Sequence, residues 1–234
     1  MAGASAAAYH EGVCGRFTLT RRDRQSLAAE LGVAGDSFTD YRPRYNIAPM
    51  QEHFVVTLER EDRKAIRARW GLVNSWAKDN KRAPMCVNAK AETVEKLPTF
   101  RAAFKKRRCV VPADGFYEWR GPKGKREPLW IHPRDGGLIL FAGLYEAWRP
   151  EPNRWETTFT IITTAANQSI KPIHDRMPVI LSDRDADDWM NPNEPDPVSL
   201  KRLLVPLSAD LLAVFPASPL VNSVKNDGPE LLQG

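Results

Sequence analysis

"CVVPADGFYEWR", Cys109–Arg120, reads as strand, and its pattern sets how the rest of the chain is interpreted. In its second half, Gly115–Arg120, alternate residues share a face of an extended chain. Phe116, Glu118 and Arg120 point one way, Tyr117 and Trp119 the other. Working outward, "EHFVVTLE", "PLWIHP", "LILFAGLYEAW" and "TTFTIITTAA" are further short apolar or alternating runs, bounded by Pro, Gly and Asp turns such as "HPRDGG". Helical spacing occurs at 21–32, "RRDRQSLAAELG", which ends in a glycine stop. Further helices are expected at 97–107, at 183–190, where "SDRDADDWM" supplies an N-cap and acids in the first turn, and at 198–204 and 208–214. Strands dominate the middle and helices the ends. The expected fold is therefore α+β: a single domain with a curved, mostly antiparallel sheet, barrel-like at its core, and flanking helices.

With 42% hydrophobic residues and seven tryptophans in 234 residues, the chain has ample apolar surface for one core. No apolar run reaches membrane-spanning length, and Met1–Gly12 contain no Lys or Arg, as a secretory signal would. The expectation is a cytoplasmic monomer acting at the nucleoid, without membrane contact. Cys14, Cys86 and Cys109 are odd in number and lack CxxC spacing, which argues against a disulfide framework or a zinc site. The net charge of +5 is clumped at 63–69, 78–82, 105–108 and 123–126. Cations interleaved with aromatic rings suit nucleic acid, phosphates taking the charges and bases the rings; a solvated basic face fits the same composition equally well.

Four places can carry chemistry. Glu118, among aromatic residues, would be partly desolvated and shifted toward proton-transfer duty, unless an ion pair with Arg120 or another cation holds it. His174, in "IHDRMP" after an apolar strand, is the best acid/base candidate of four histidines, because loops at strand ends expose side chains. His53 sits in a strand-like run, where a structural role is the default. In "CVNAKAET", Asn88 and Lys90 share a side and make a fair phosphate-and-sugar grip, or an exposed polar edge. "RYNIAP" adds Asn46 and Pro49 at a proline-fixed turn, where architecture is the first reading. "RARWGLVNSW" places Trp70 and Trp76 near cations, one of the two belonging in the core.

Taken in order, "CGRF", "RYNIAP", "RWGLVNSW", "NAKAET", "RRCVVPADGFYEW", "FAGLYEAW", "IHDRMP" and "VNSVKND" resemble the SOS response-associated peptidase (SRAP) family from Cys14 to about Pro229. The resemblance implies a protein that senses abasic sites in single-stranded DNA, single-strand/double-strand junctions included, and shields them by covalent attachment. The implied chemistry is Schiff-base, lyase-like, with no metal or organic cofactor. It needs a cysteine as first residue, and Cys14 matches. A free α-amine has a reference pKa of about 7.7–8.0 and is substantially unprotonated at neutral pH. It can condense with the ring-opened sugar aldehyde, and the thiol of the same residue then closes a thiazolidine with the advantage of a tethered group. Glu118 resembles the glutamate that manages protons, His174 the histidine that assists at the sugar and in reversal, and Asn88 the asparagine that grips the abasic nucleotide. Arg16, Asn46, Pro49, Trp70, Trp76 and Thr163 fall among the DNA-binding positions. Lys90 stands where the family has arginine, keeping the charge but losing the planar fork.

Residues 1–13 then read as an extension ahead of a domain at 14–229, with a short tail at 230–234. Val13 is compatible with a GTG start codon read as methionine, the favoured explanation. A leader removed by autoproteolysis, with Glu118 and His174 serving attack by the Cys14 thiol, is the alternative. Two further readings stay open: a non-covalent nucleic-acid-binding module indifferent to Cys14, and a thiol peptidase acting on other proteins.

Overall fold

The computed structural model describes residues 14–122, 124–194 and 196–234. "CVVPADGFYEWR" is where the chain passes from one sheet to another. β6 (Arg108–Ala113) lies in an eight-stranded sheet and β7 (Gly115–Arg120) in a five-stranded one, with Asp114 alone between them. Asp114 is buried and holds this corner by accepting from the hydroxyls of Thr18 and Thr20 at 2.6 and 2.7 Å and from the Thr20 N–H at 2.6 Å. Gly115 is required there, since a Cβ would lie 2.3 Å from Nε1 of Trp130.

The five-stranded sheet contains β1 (Phe17–Leu19), β2 (Arg44–Ile47), β7, β8 (Glu127–Pro133) and β13 (Leu212–Pro216), in the order β13-β8-β7-β1-β2 and antiparallel throughout. The larger sheet is built on β3 (Glu52–Glu59), β4 (Asp62–Trp70), β6, β9 (Ile139–Glu151) and β10 (Arg154–Ala165). β9 pairs with both β6 and β10, and β10 with β4, so these five strands close on themselves and leave no free edge. The β4–β10 pairing is parallel. Three short strands hang on this barrel: β5 (Asn88–Lys90), parallel to β10, β11 (Arg176–Pro178), antiparallel to β10, and β12 (Ile180–Leu181) on β9. The α+β expectation and its barrel-like core hold.

Phe17, Phe116 and Phe141 meet edge-on in the core between the sheets, with Trp70 stacked on Phe159. Around the barrel lie α1 (Arg24–Leu31), α2 (Arg101–Lys106), α3 (Asp183–Met190) and α4 (Pro197–Arg202). α1 is started by the Asp23 carboxylate and stopped by Gly32 in the left-handed region, φ 64°. Ser182 caps α3 as expected. The helix expected at 208–214 is instead a single 3-10 turn, Ala209–Leu211, running into β13; a buried edge of β8 offers backbone partners that override local propensity. The tail expected at 230–234 is packed: Leu231 is buried and its carbonyl accepts from the Ser218 N–H.

Candidate active site

Antiparallel pairing of β1 with β7 sets Phe17 opposite Phe116, which carries the residues before Phe17 alongside Tyr117 and Glu118. Cys14 lies there, 3% exposed, with its backbone in the left-handed region at φ 49°. Its N–H donates to Oε1 of Glu118 at 2.7 Å. Glu118 follows Phe116 on the inner face and is itself buried. Burial pushes its carboxyl above the usual range, opposed by the charge of His174, the bonds from Cys14 and the charge of Arg126. Burial, and then the neighbouring Glu118 carboxylate, raise the Cys14 thiol well above its ordinary value, against an opposing pull from Arg176. Of the structural alternative, an ion pair with Arg120 or another cation, the Arg120 pair does not form: Arg120 pairs with Glu127 at the hairpin end.

Glu118 and His174 line one cavity of about 770 Å³, together with Arg16, Pro49, Met85 and Trp119. β10 carries the segments next to His174. On one side it pairs with β5, placing Asn88 and Lys90 beside Ile161 and Thr163, and on the other with β11, just after His174. The Arg176 N–H donates to Nδ1 of His174 at 3.0 Å, so Nε2 is the nitrogen that carries the proton in the neutral ring. A buried acid with a raised pKa, a half-buried imidazole and a main-chain nitrogen within hydrogen-bond reach can pass protons to and from a nucleophile held at Cys14. Among the described residues no group of three or more His, Cys, Asp and Glu is suited to a metal ion, and no helix is long and apolar enough to cross a membrane.

The remaining expected residues separate into two sets. Arg16, Pro49, Lys90 and Trp76 are accessible, Trp76 at 69% exposure, and Asn88 is half-buried at the start of β5. Three are corrected. Trp70 is fully buried, its indole N–H given to the Val87 carbonyl, because β4 turns it into the barrel; it has no surface to offer a base. Asn46 is fully buried and donates to the carbonyls of Val221, Ser223 and Asn226 while accepting from Arg16, which makes it the anchor of Arg16 and of residues 221–226, a C-terminal strap. Thr163 is buried beneath Ala89 and Arg176. His53 is structural as expected, buried against the Pro112 carbonyl. Cys14, Cys86 and Cys109 are all free and buried.

The basic clusters also divide. Arg63, Lys64, Arg67 and Arg69 are engaged with Asp183 and Asp187, Glu59, Asp40 and Glu52, and Glu156. Arg108 is buried against the carbonyls of Phe104, Lys105, Trp189, Asn191 and Glu194. Of the remaining clusters, Gly124 and Arg126 line the cavity, as does Pro84, which follows 78–82 in the chain. Sequence reading overlooked Trp119, whose ring lies under the Arg16 guanidinium at 5.9 Å, and the carboxylate of Asp227, which receives the N–H groups of Tyr45 and Asn46. The signal for Asp227 was present in "VNSVKND", but its partners lie some 180 positions away.

Fold and site together define a single-domain α+β barrel protein in which a glutamate and a histidine line a cavity with Arg16 and Arg126, and a buried cysteine nitrogen is bonded to that glutamate. Residues 13–224 match the family described as SOS response associated peptidase (SRAP), and the chain belongs to that family. It is 41% identical over 226 residues to the abasic site processing protein YoqW of Bacillus subtilis, covering 94% of this chain and 99% of that protein. It is 33% identical over 225 residues to the abasic site processing protein HMCES of Gallus gallus, covering 82% and 66%. A Bacteroides thetaiotaomicron protein of known structure superposes with a TM-score of 0.83 at 24% identity, over 94% of this chain and 99% of that one, a likeness of fold.

Proposed function

We propose that this protein processes abasic sites in DNA, and that it does so by covalent capture on Cys14 once residues 1–13 are removed. The observation that carries the reading is the 2.7 Å contact between the Cys14 nitrogen and the buried Glu118 carboxylate, in a cavity shared with His174. Relatives named for abasic site processing support the substrate, and the family match beginning at residue 13 supports Cys14 as the working first residue.

In the proposed sequence the Cys14 amine attacks C1′ of the open-chain sugar, and the carbinolamine loses water to an imine. Glu118, whose acid form burial favours, supplies the proton that the departing hydroxyl needs. The thiol adds across the C=N bond, its proton passing to nitrogen, and the five-membered ring closes. His174 handles the proton at the sugar ring oxygen. Asn88 and Lys90 hold the nucleotide and its phosphate, while Arg16, Pro49 and Trp76 serve the flanking single strand or a junction.

A protein whose intact mass shows Cys14 as its first residue should form a heat-stable adduct with single-stranded DNA carrying an abasic site. Cys14→Ala should form none. Absence of an adduct from the Cys14-first protein sinks the reading. DNA affinity that falls steeply with salt and survives Cys14→Ala, without an adduct, would favour a non-covalent binding module.

The same contact favours one second reading, self-removal of the leader. The Cys14 thiol would attack the Val13 carbonyl, Glu118 would protonate the departing nitrogen, and water would hydrolyse the thioester. Purified full-length chain should then lose residues 1–13 on standing, and Glu118→Gln should stay intact. A full-length chain of unchanged mass rejects this reading and leaves the covalent one standing.

A further inference from the structure

Glu92 lies just beyond β5 and takes no part in the chemistry set out above. It grips the Arg176 guanidinium with both oxygens, Oε1 to Nη1 at 2.5 Å and Oε2 to Nη2 at 3.0 Å. Nη2 also donates to the Thr163 carbonyl at 2.6 Å, so one side chain is tied to β10 and to the end of β5 at once. The same residue's backbone N–H donates to Nδ1 of His174. A ring nitrogen that accepts carries no proton, and this bond therefore chooses the tautomer that presents Nε2–H. The other charged groups of this loop, Lys171 and Asp175, pair with each other at 2.6 Å and are exposed.

We propose that Glu92 is a positioning residue for His174, acting through Arg176: the two-pronged ion pair fixes the 174–176 turn so that its N–H holds the imidazole in the Nε2–H form. A geometry in which the carboxylate touches neither the cavity nor Cys14, yet immobilises the donor that orients the imidazole, carries this assignment. Its consequence for catalysis rests on the covalent-capture reading; the placement of the imidazole proton does not.

The test is nitrogen-15 spectroscopy of the histidine side chains in the full-length chain, the His174 signals assigned with His174→Asn. The unaltered protein should show Nε2–H in an excess of about tenfold or more. Glu92→Gln should reduce that excess about fivefold, the worth of one weakened hydrogen bond. Arg176→Lys keeps the charge but loses the fork, and should reduce it similarly; it decides the matter if Glu92→Gln fails to fold. Lys171→Ala, which removes the neighbouring pair, should leave the ratio unchanged. Folded Glu92→Gln and Arg176→Lys proteins with the original tautomer ratio overturn the proposal. In Cys14-first protein, Glu92→Gln should lower the maximal adduct rate and leave the half-saturating DNA concentration in place. If that protein forms no adduct at all, the functional reading falls and the tautomer result stands by itself.

Discussion

Replacing Glu118 by Gln and by Ala separates two contributions that the 2.7 Å contact combines. Gln is nearly isosteric and keeps an oxygen for the Cys14 N–H, but it cannot hold or deliver a proton. General acid–base catalysis is worth about 10²–10⁴-fold, so Glu118→Gln should slow adduct formation by that factor at saturating DNA. Ala loses the hydrogen bond as well. A bond to the neutral acid is worth about 0.5–1.5 kcal/mol, or roughly twofold to tenfold, and Glu118→Ala should be slower than Glu118→Gln by that further factor. The pH dependence has a definite sign. Burial raises the Glu118 carboxyl, so its acid form persists above the ordinary carboxylate range and is lost as pH rises through the elevated value. The unaltered protein should lose rate along that limb and Glu118→Gln should not show it. The assay is single-turnover accumulation of adduct on denaturing gels, with an excess of abasic-site DNA and Cys14-first protein across a pH series. A Glu118→Gln rate within about threefold of the original would refute the proton-transfer argument, since such a small change falls far below the acid–base range. Equal rates for the Gln and Ala variants would refute the orienting role of the contact.

The two tryptophans read together in sequence should behave oppositely. Trp76→Ala, at an exposed position, should change stability by less than about 0.5 kcal/mol yet weaken single-stranded DNA binding by about 1–3 kcal/mol in fluorescence anisotropy; Trp70→Ala should cost about 3–5 kcal/mol in urea unfolding. Gly71→Ala should destabilise by about 1–3 kcal/mol, because φ is +121° and the new Cβ would lie 2.9 Å from the Ala83 carbonyl, pushing on the loop that supplies Pro84 and Met85 to the cavity. Burial lowers His53 from 6.5 to about 4, so the unfolded chain takes up its proton first and stability is lost as pH falls through that window. The loss amounts to about 3 kcal/mol, and His53→Gln, which keeps a donor for Pro112 but cannot charge, should flatten this part of the acid-unfolding curve.

Much of the fold was legible because the signals are local. Asp23 and Gly32 bracket α1 through bonds within a few residues, and the alternation of Gly115–Arg120 set Glu118 on the side of Phe116, where both are buried. The segment 208–214 was misread because β13 forms only where β8 presents an edge. Cys14, Glu118, His174 and Asn88 were named from motifs, and the fold brings the first three to one place. Charge clusters misled where partners are distant: the cations at 63–69 meet acids up to 124 positions away.

By itself, then, the sequence carried the series of motifs that resembles the family, and it determined the strand-rich core, which follows from periodicity, and the residue types able to do the chemistry, which follow from the functional groups each residue carries with it. Only the tertiary structure decided which of them face the cavity. Trp70, Asn46 and Thr163 carry groups that suit DNA, yet barrel closure and the C-terminal strap bury them, while Glu92 and Arg176 become partners because β5 and β11 flank the same strand. Burial and proximity arise from strand pairings remote along the chain, and those pairings also turn the Cys14 nitrogen toward Glu118.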